Sequence, residues 1–283
     1  MKQKTVWSIA LLALLGLAAG AAFWWQQQQR PPVLESSGAP VAAATLPPAA
    51  SGAESAAPGI RHPIEAADTG PADPVVAARP QPGNADAAVT EALVELLGRK
   101  AVLAFLSVDN FAARTATTVD NLARNHAATR FWPVNPTPGR FVTTQSTDGS
   151  FIGAANASRY TPFVQFVVSV NSAKAVALYK RLYPMFQHAY EELGYPGRYF
   201  NDRVVEVIDH LLETPELNEP VKVRLTEVKG PVQPVRPWVM YEFDDPGLEA
   251  RSAGQKMLLR MGTANARQLK AKLIELRRML ARA

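Results

Sequence analysis

An uninterrupted apolar run near the N-terminus constrains this chain most. Residues Thr5–Trp25 read TVWSIALLALLGLAAGAAFWW and include no charged side chain. As a helix rising about 1.5 Å per residue, the run is about 30 Å long, which matches the hydrocarbon core of a bilayer. Trp7 lies near one end and Trp24 near the other, where aromatic rings favour the level of the lipid headgroups. The run therefore predicts a transmembrane helix.

A cleaved signal peptide is the competing interpretation, because Lys2 and Lys4 precede the run and small residues lie towards its end. The apolar core of a signal peptide is usually about 7–15 residues long, shorter than this run, and a tryptophan pair is a poor cleavage flank. We therefore expect residues 1–25 to be an uncleaved anchor. The two lysines hold the N-terminus in the cytoplasm, so the rest of the chain lies outside it.

The composition changes abruptly after the anchor. Residues 26–83 are rich in Pro, Ala and Ser, with hardly an aromatic or β-branched cluster. Such a segment buries too little apolar surface to offset its ordering entropy, so we predict a disordered linker. Residues 84–283 carry the apolar periodicity of a folded domain. The chain has no cysteine, which excludes disulfides, thiolate metal sites and thiol nucleophiles.

Helices dominate the expected fold of this domain. The apolar spacing predicts helices over 85–98, 111–124, 173–193, 202–213 and 264–282, and further helices from Pro162 and from Pro246. A hairpin around Asp148 and strands near 221–225 and 238–243 add one or two small two-stranded β elements. The fold class is therefore mainly α, a compact multi-helix domain preceded by a single transmembrane helix and a linker.

Several short segments of this domain form a recognisable block. They are YKRLYP at 179–184, YEELGYP at 190–196, YFNDR at 199–203, VIDHLL at 207–212, YEF at 241–243 and SAGQK at 252–256. The block resembles the bacterial domain-of-unknown-function family 3014, and the likeness covers about residues 84–283. The resemblance implies a bacterial envelope protein, anchored in the inner membrane through Val6–Trp25 with its domain in the periplasm. It implies no chemistry.

Catalytic and metal-binding motifs are missing from the sequence. There is no G-x-S-x-G, G-x-x-x-x-G-K, H-E-x-x-H or S-x-x-K pattern. Two helical Glu–His pairs at i, i+4 could in principle face each other around a metal, but such pairs are also common on helix surfaces. They are His188 with Glu192, and Glu206 with His210. We therefore predict no catalytic, cofactor-binding or metal-ligating residue.

The densest polar and aromatic stretch is GYPGRYFNDR, residues 194–203, between two helices. It supplies a candidate cleft for a ligand or partner: Tyr195, Arg198, Tyr199, Asn201 and Asp202. The alternative is structural, because tyrosines at helical spacing belong to a core and Asn201 is a suitable helix cap.

An internal echo places similar residues eleven apart, with VDNF at 108–111 and VDNL at 119–122. Asp109 and Asp120 would then share one helix face and could form a polar pair facing a ligand. Because Asp and Asn so often occupy helix ends, capping is the favoured interpretation.

The positive charge is concentrated at the C-terminus, where residues 251–283 carry nine basic side chains and one acidic one. Leucines lie on one face of the last predicted helix, and four bases elsewhere on it could contact an anionic surface: Arg267, Lys270, Arg277 and Arg278. A solvated basic face is the simpler interpretation. Nucleic acid is not an expected partner outside the cytoplasm.

The sequence thus favours a non-enzymatic binding or scaffold module, held in the periplasm by its anchor, with an envelope protein or an anionic envelope component as partner. The alternative is an envelope or cell-wall hydrolase with its site near Tyr195–His210. No cofactor is expected for either.

Overall fold

A computed structural model of the chain describes residues 59–64, 82–217, 220–227 and 239–281. The predicted anchor, residues 1–25, lies outside this part and stays a prediction. Within the described part, no helix combines the length and the apolar character needed to cross a bilayer.

The described part is mainly helical, as predicted. The helices are α1 (Pro82–Leu97), α2 (Arg99–Phe105), α3 (Phe111–Leu122), α4 (Ala155–Ser169), α5 (Ser172–Glu192), α6 (Phe200–Leu212), α7 (Pro246–Glu249), α8 (Ala253–Arg260) and α9 (Thr263–Leu280), with a 3₁₀ turn at Thr129–Phe131. The strands are β1 (Thr143–Ser146), β2 (Gly149–Ile152), β3 (Lys222–Leu225) and β4 (Tyr241–Phe243).

Helices α5 and α4 begin earlier than predicted. Asn171 caps α5 by accepting the N–H of Lys174 at 3.0 Å. Helix α4 begins at Ala155 and contains Pro162, which was predicted to start it. Its early start follows from a buried contact, because the fully buried Asn156 donates to the carbonyl of Gly153.

The predicted β elements form one sheet, not separate two-stranded pieces. All four strands are antiparallel neighbours in the order β1-β2-β3-β4. The β1–β2 hairpin joins the β3–β4 strand pair through β2 and β3, where Ser150 lies opposite Val223 and Phe151 opposite Lys222. The junction covers an apolar cluster in which Val223 and Phe243 are almost fully buried. The burial of these apolar side chains explains why β2 pairs with β3. A local sequence pattern cannot indicate such a pairing between distant strands.

Helix α9 packs along α4 and α6. It uses its predicted leucine face to do so. Leu269 and Leu273 pack against the cluster that includes Val207 of α6. Leu280 belongs to a second cluster, which Leu276 also contacts. A further cluster fills the space between α1, α3 and α5. These layers leave the first turn of α6 between the end of α5 and the end of α9.

Candidate functional site

The connection between α5 and α6 sets up the candidate site. Gly194 and Gly197 both adopt positive φ, at 97° and 72°, a conformation that costs a glycine little. They reverse the chain, and Tyr199 then precedes α6 in an extended conformation. The fully buried ring of Phe200 anchors the start of the helix in the core. The polar residues of this loop are thereby held on a rigid element.

The first turn of α6 holds a segment from the region predicted to be a linker. The Asp202 carboxylate accepts the N–H of Arg61 at 3.0 Å and the N–H of His62 at 2.7 Å. The Tyr199 hydroxyl accepts the N–H of Ile64 at 2.7 Å. Residues 59–64 are therefore docked on the domain.

This docking corrects the predicted linker, residues 26–83, in two places. Residues 59–64 make hydrogen bonds to the domain, and α1 begins at Pro82. The physical reason is that the docking uses main-chain groups, which composition does not reveal. The rest of the predicted linker, 26–58 and 65–81, lies outside the described residues.

Asn201 has a different role from the predicted helix cap. It lies inside α6, is fully buried, and its amide donates to the carbonyls of His62 at 2.9 Å and Leu280 at 3.2 Å. Its side-chain oxygen accepts from the Tyr179 hydroxyl at 3.3 Å. The capping interpretation is wrong for Asn201, because its amide connects the docked segment to the end of α9.

Asp120 lies at the centre of a charged cluster beside this turn. Its carboxylate accepts from Arg203 at 3.1 Å and pairs with Arg124 at 2.7 Å. The Tyr195 hydroxyl donates to it at 3.1 Å, and Arg124 donates to the same hydroxyl. The Asp120 side chain is only 8% exposed. The favoured capping interpretation is therefore wrong for Asp120, which is the ion-pair partner of the arginine on α6.

Two cavities adjoin the turn. One, of about 300 Å³, is lined by four of the five predicted cleft residues, Tyr195, Arg198, Tyr199 and Asp202. Asn201 does not line this cavity, because its side chain is buried beneath the docked segment. The second, of about 460 Å³, runs on along α6 past Asp209 to Glu213. Arg61, Arg203 and Glu206 line both cavities. These three residues, with Asp202, make a continuous charged surface, which we call the polar groove.

The two helical Glu–His pairs do not face each other around a common point. His188 and Glu192 contact each other at 3.3 Å and are both exposed, while Glu206 pairs with Arg203 at 2.9 Å. In the described ranges no three His, Cys, Asp or Glu side chains are grouped as a metal ion needs.

His210 lines the second cavity and contacts Ser252. Its Nε2 lies 2.9 Å from the hydroxyl oxygen of Ser252, which also accepts the N–H of Gln255 as the cap of α8. Gln255 in turn donates to the carbonyl of His210. Ser252 is 6% exposed, so the contact primarily joins α6 to the start of α8.

Three of the four predicted anionic-surface residues have partners within the domain. Arg267 pairs with Glu216 at 2.7 Å, the Lys270 ammonium donates to the carbonyl of Thr214, and Arg277 donates to both carboxylate oxygens of Asp209. The bond from Arg277 lowers the pKa of Asp209.

Arg278, the fourth, is exposed. Binding of an anionic surface by this face stays a prediction. Periodicity did not single out Lys272, whose buried ammonium donates to Ser172 at 2.6 Å and so joins α9 to α5.

The described residues define a mainly helical domain with a small four-stranded sheet, in which one helix start binds a segment of the same chain. The chain belongs to the family described as Protein of unknown function (DUF3014), whose model matches residues 111–277, more than half of the chain. The predicted family is thus confirmed. No curated protein and no solved structure gave a significant match.

Proposed function

We propose that this chain is a membrane-anchored protein of the bacterial envelope whose domain is a non-enzymatic binding module for a short peptide segment of a partner protein. The observation that carries the proposal is the way α6 binds residues 59–64, through three main-chain N–H groups and one main-chain carbonyl. Most peptide segments offer these groups, so the contacts select a backbone conformation, here a bend at residues 61–62, and not a sequence.

Side-chain selection comes from the ends of the bound segment. Ile64 packs against two apolar clusters, one that includes Phe200 and one that includes Val205 and Ile208. At the other end Arg61 approaches Glu206 at 4.0 Å, in the polar groove. An apolar residue three positions after a basic one therefore suits the site, and the two cavities leave room for a longer segment.

The rigidity of the site also supports binding. Asn201 is buried and Asp202 stands in the first turn of a helix, where the helix dipole stabilises a carboxylate. A pre-formed site loses little conformational entropy when a peptide arrives. In this proposal residues 59–64 occupy the site in the resting chain and exchange with a partner segment.

The direct test supplies the segment in trans. A chain lacking residues 59–64 should bind a peptide of sequence GIRHPI, with micromolar to millimolar affinity measured by calorimetry. The same peptide methylated on the main-chain nitrogen of His62 should bind at least tenfold more weakly, because that nitrogen can no longer donate a hydrogen bond to Asp202. The Asp202→Asn chain is the matched control on the protein side and should also bind more weakly.

A second experiment avoids the deletion. A protease site placed within residues 65–81 allows the folded chain to be cut after purification. The N-terminal fragment should stay bound to the domain and be displaced by excess GIRHPI. Failure of the peptide to bind the folded deletion chain, together with fragment retention that excess peptide does not alter, would falsify the proposal.

The location rests on sequence alone, on the apolar run and the lysines before it. A reporter fused after Ala283 should be active only in the periplasm, and the protein should stay with membranes in high salt. A soluble periplasmic form with a new N-terminus near Ala22 would contradict the anchor.

The hydrolase alternative has one observation in its favour, the contact between His210 and Ser252. If that pair is catalytic, the wild-type chain should release soluble fragments from purified cell wall and Ser252→Ala should not. The burial of Ser252 and its capping role make the binding module the better-supported function.

A further inference from the structure

A third cavity, of about 560 Å³, shares no residue with the polar groove or with the two cavities beside it. It lies between the loop 132–141, α4, α8 and β4. Its aromatic walls are Trp132, Phe141, Tyr160, Phe163 and Tyr241. A cavity of this size and character is typical of sites for small organic molecules, which occupy about 300–1,000 Å³. We call it the aromatic cleft.

Arg260 is one of two arginines that line this cleft. It is half-buried, and its Nη2 donates to the carbonyl of Tyr241 at 3.0 Å. Within the described part of the chain it has no other hydrogen bond and no ion pair. A guanidinium carries five N–H donors, so most of its donor capacity is unused there. Its guanidinium carbon lies 5.1 Å from the centre of the Phe243 ring.

Glu249, the acid whose charge acts on this arginine, does not fully offset the cost of its burial. Glu249 accepts from Lys256 at 2.8 Å and from the N–H of Phe243 at 2.9 Å. Burial lowers the pKa of Arg260, with Glu249 only partly offsetting it. The cleft therefore contains a partly desolvated cation whose natural partner is an anion.

A second arginine in the cleft shows the contrast. Arg159 donates to the carbonyls of Pro138 at 3.0 Å and Gly139 at 3.1 Å, and to the side chain of Asn156 at 3.2 Å. All three of its nitrogens are thus used to hold the loop. Arg159 therefore holds the loop that forms one wall of the cleft. Arg260 keeps donors with which it can bind a ligand.

We propose that the aromatic cleft binds a small organic anion with a flat apolar body, such as an aromatic carboxylate. The carboxylate pairs with Arg260, and the ring lies against the aromatic walls. A bare inorganic anion would leave those walls uncovered, and a neutral ring would leave the guanidinium unpaired. This inference is independent of peptide binding at the polar groove.

The test uses two probes of equal shape, naphthalene-2-carboxylate and naphthalene-2-carboxamide. Calorimetry on the full chain in detergent should show the carboxylate binding about tenfold or more tightly than the carboxamide, because an ionised acceptor strengthens the bond to an arginine. Arg260→Gln should weaken carboxylate binding about tenfold and leave the carboxamide unchanged. Arg267→Gln removes the same charge outside the cleft and should behave as wild type.

A measurement on the unaltered chain guards against a misfolded variant. Phenylglyoxal modifies accessible arginines, and mass spectrometry reports each site separately. Naphthalene-2-carboxylate should slow modification of Arg260 and leave that of Arg267 unchanged, while the carboxamide should protect neither. Equal binding of the two probes, carboxylate binding that survives Arg260→Gln, or no binding by the folded wild type would each overturn the proposal.

Discussion

The start of α6 and the basic face of α9 both gather polar side chains, but they differ in burial. At the start of α6, Asn201 is fully buried and the Asp120 side chain is 8% exposed. On α9, the side chains of Arg267 and Arg277 are 58% and 40% exposed. The first set bonds to main-chain groups and to buried charges, whereas the second bonds mostly to exposed acids.

This difference teaches which of the two clusters the fold depends on. A buried polar group costs free energy unless it is bonded, so its partners are fixed in place. An exposed ion pair contributes little, because water already solvates both charges. The sequence concentrates positive charge on α9. The buried polar side chains with fixed partners, Asn201 and Asp120, lie instead at and beside the start of α6.

The largest expected effect is a difference in stability between the alanine variants of two aspartates, each of which pairs with an arginine. Asp120→Ala leaves Arg203 and Arg124 without their shared carboxylate and should lower the free energy of unfolding by about 3 kcal/mol. Asp209→Ala removes the exposed partner of Arg277 and should cost much less. Urea unfolding of both variants measures the gap, and equal losses would break the comparison.

Asn201→Ala should have the next largest effect. It removes the donors to the carbonyls of His62 and Leu280, so about 2 kcal/mol of stability should be lost in denaturant unfolding. Gln268→Ala removes a partly exposed amide on α9 that bonds to Gln165 and is the matched control. A loss for Gln268→Ala as large as that for Asn201→Ala would contradict the importance of burial.

Deleting residues 59–64 should lower the melting temperature by about 3–6 °C, since one lost kcal/mol shifts a domain of this size by about 2–4 °C. Deleting residues 40–45 from the predicted linker instead should leave it unchanged. The contrast is checked by following circular dichroism on heating. No shift for the first deletion would mean that the docked segment contributes nothing to stability.

The smallest effect concerns Arg277 and depends on pH. Its bond lowers the pKa of Asp209 below the ordinary value of 3.8, so the pair stabilises the fold above that pH. The contribution disappears as pH falls through the lowered pKa, because protonated Asp209 no longer attracts the guanidinium. Wild type should therefore melt slightly above Arg277→Gln at pH 6, and the two should converge near pH 2. A difference that grows on acidification would reverse the assigned sign.

Local pattern was sufficient for much of the fold. Apolar spacing located most of the helices, and Asp245 caps the short helix α7 beside Pro246, as Pro at a first helical position indicates. The sequence also predicted the leucine face of α9, because a helix buries one side and the 3.6-residue periodicity of its apolar residues indicates which side that is. The polar loop before α6 stood out by composition, and four of its five candidate residues line one cavity.

The sequence by itself determined the family, the mainly helical class and the positions of the helices, because these depend on residues close together in the chain. Only the tertiary structure decided that the β1–β2 hairpin and the β3–β4 strand pair share one sheet, that Asp120 pairs with Arg203, and that α6 captures residues 59–64. Those contacts join groups about 70 to 140 residues apart in the chain. Several use main-chain N–H and C=O groups, which every residue carries, so no side-chain pattern marks them.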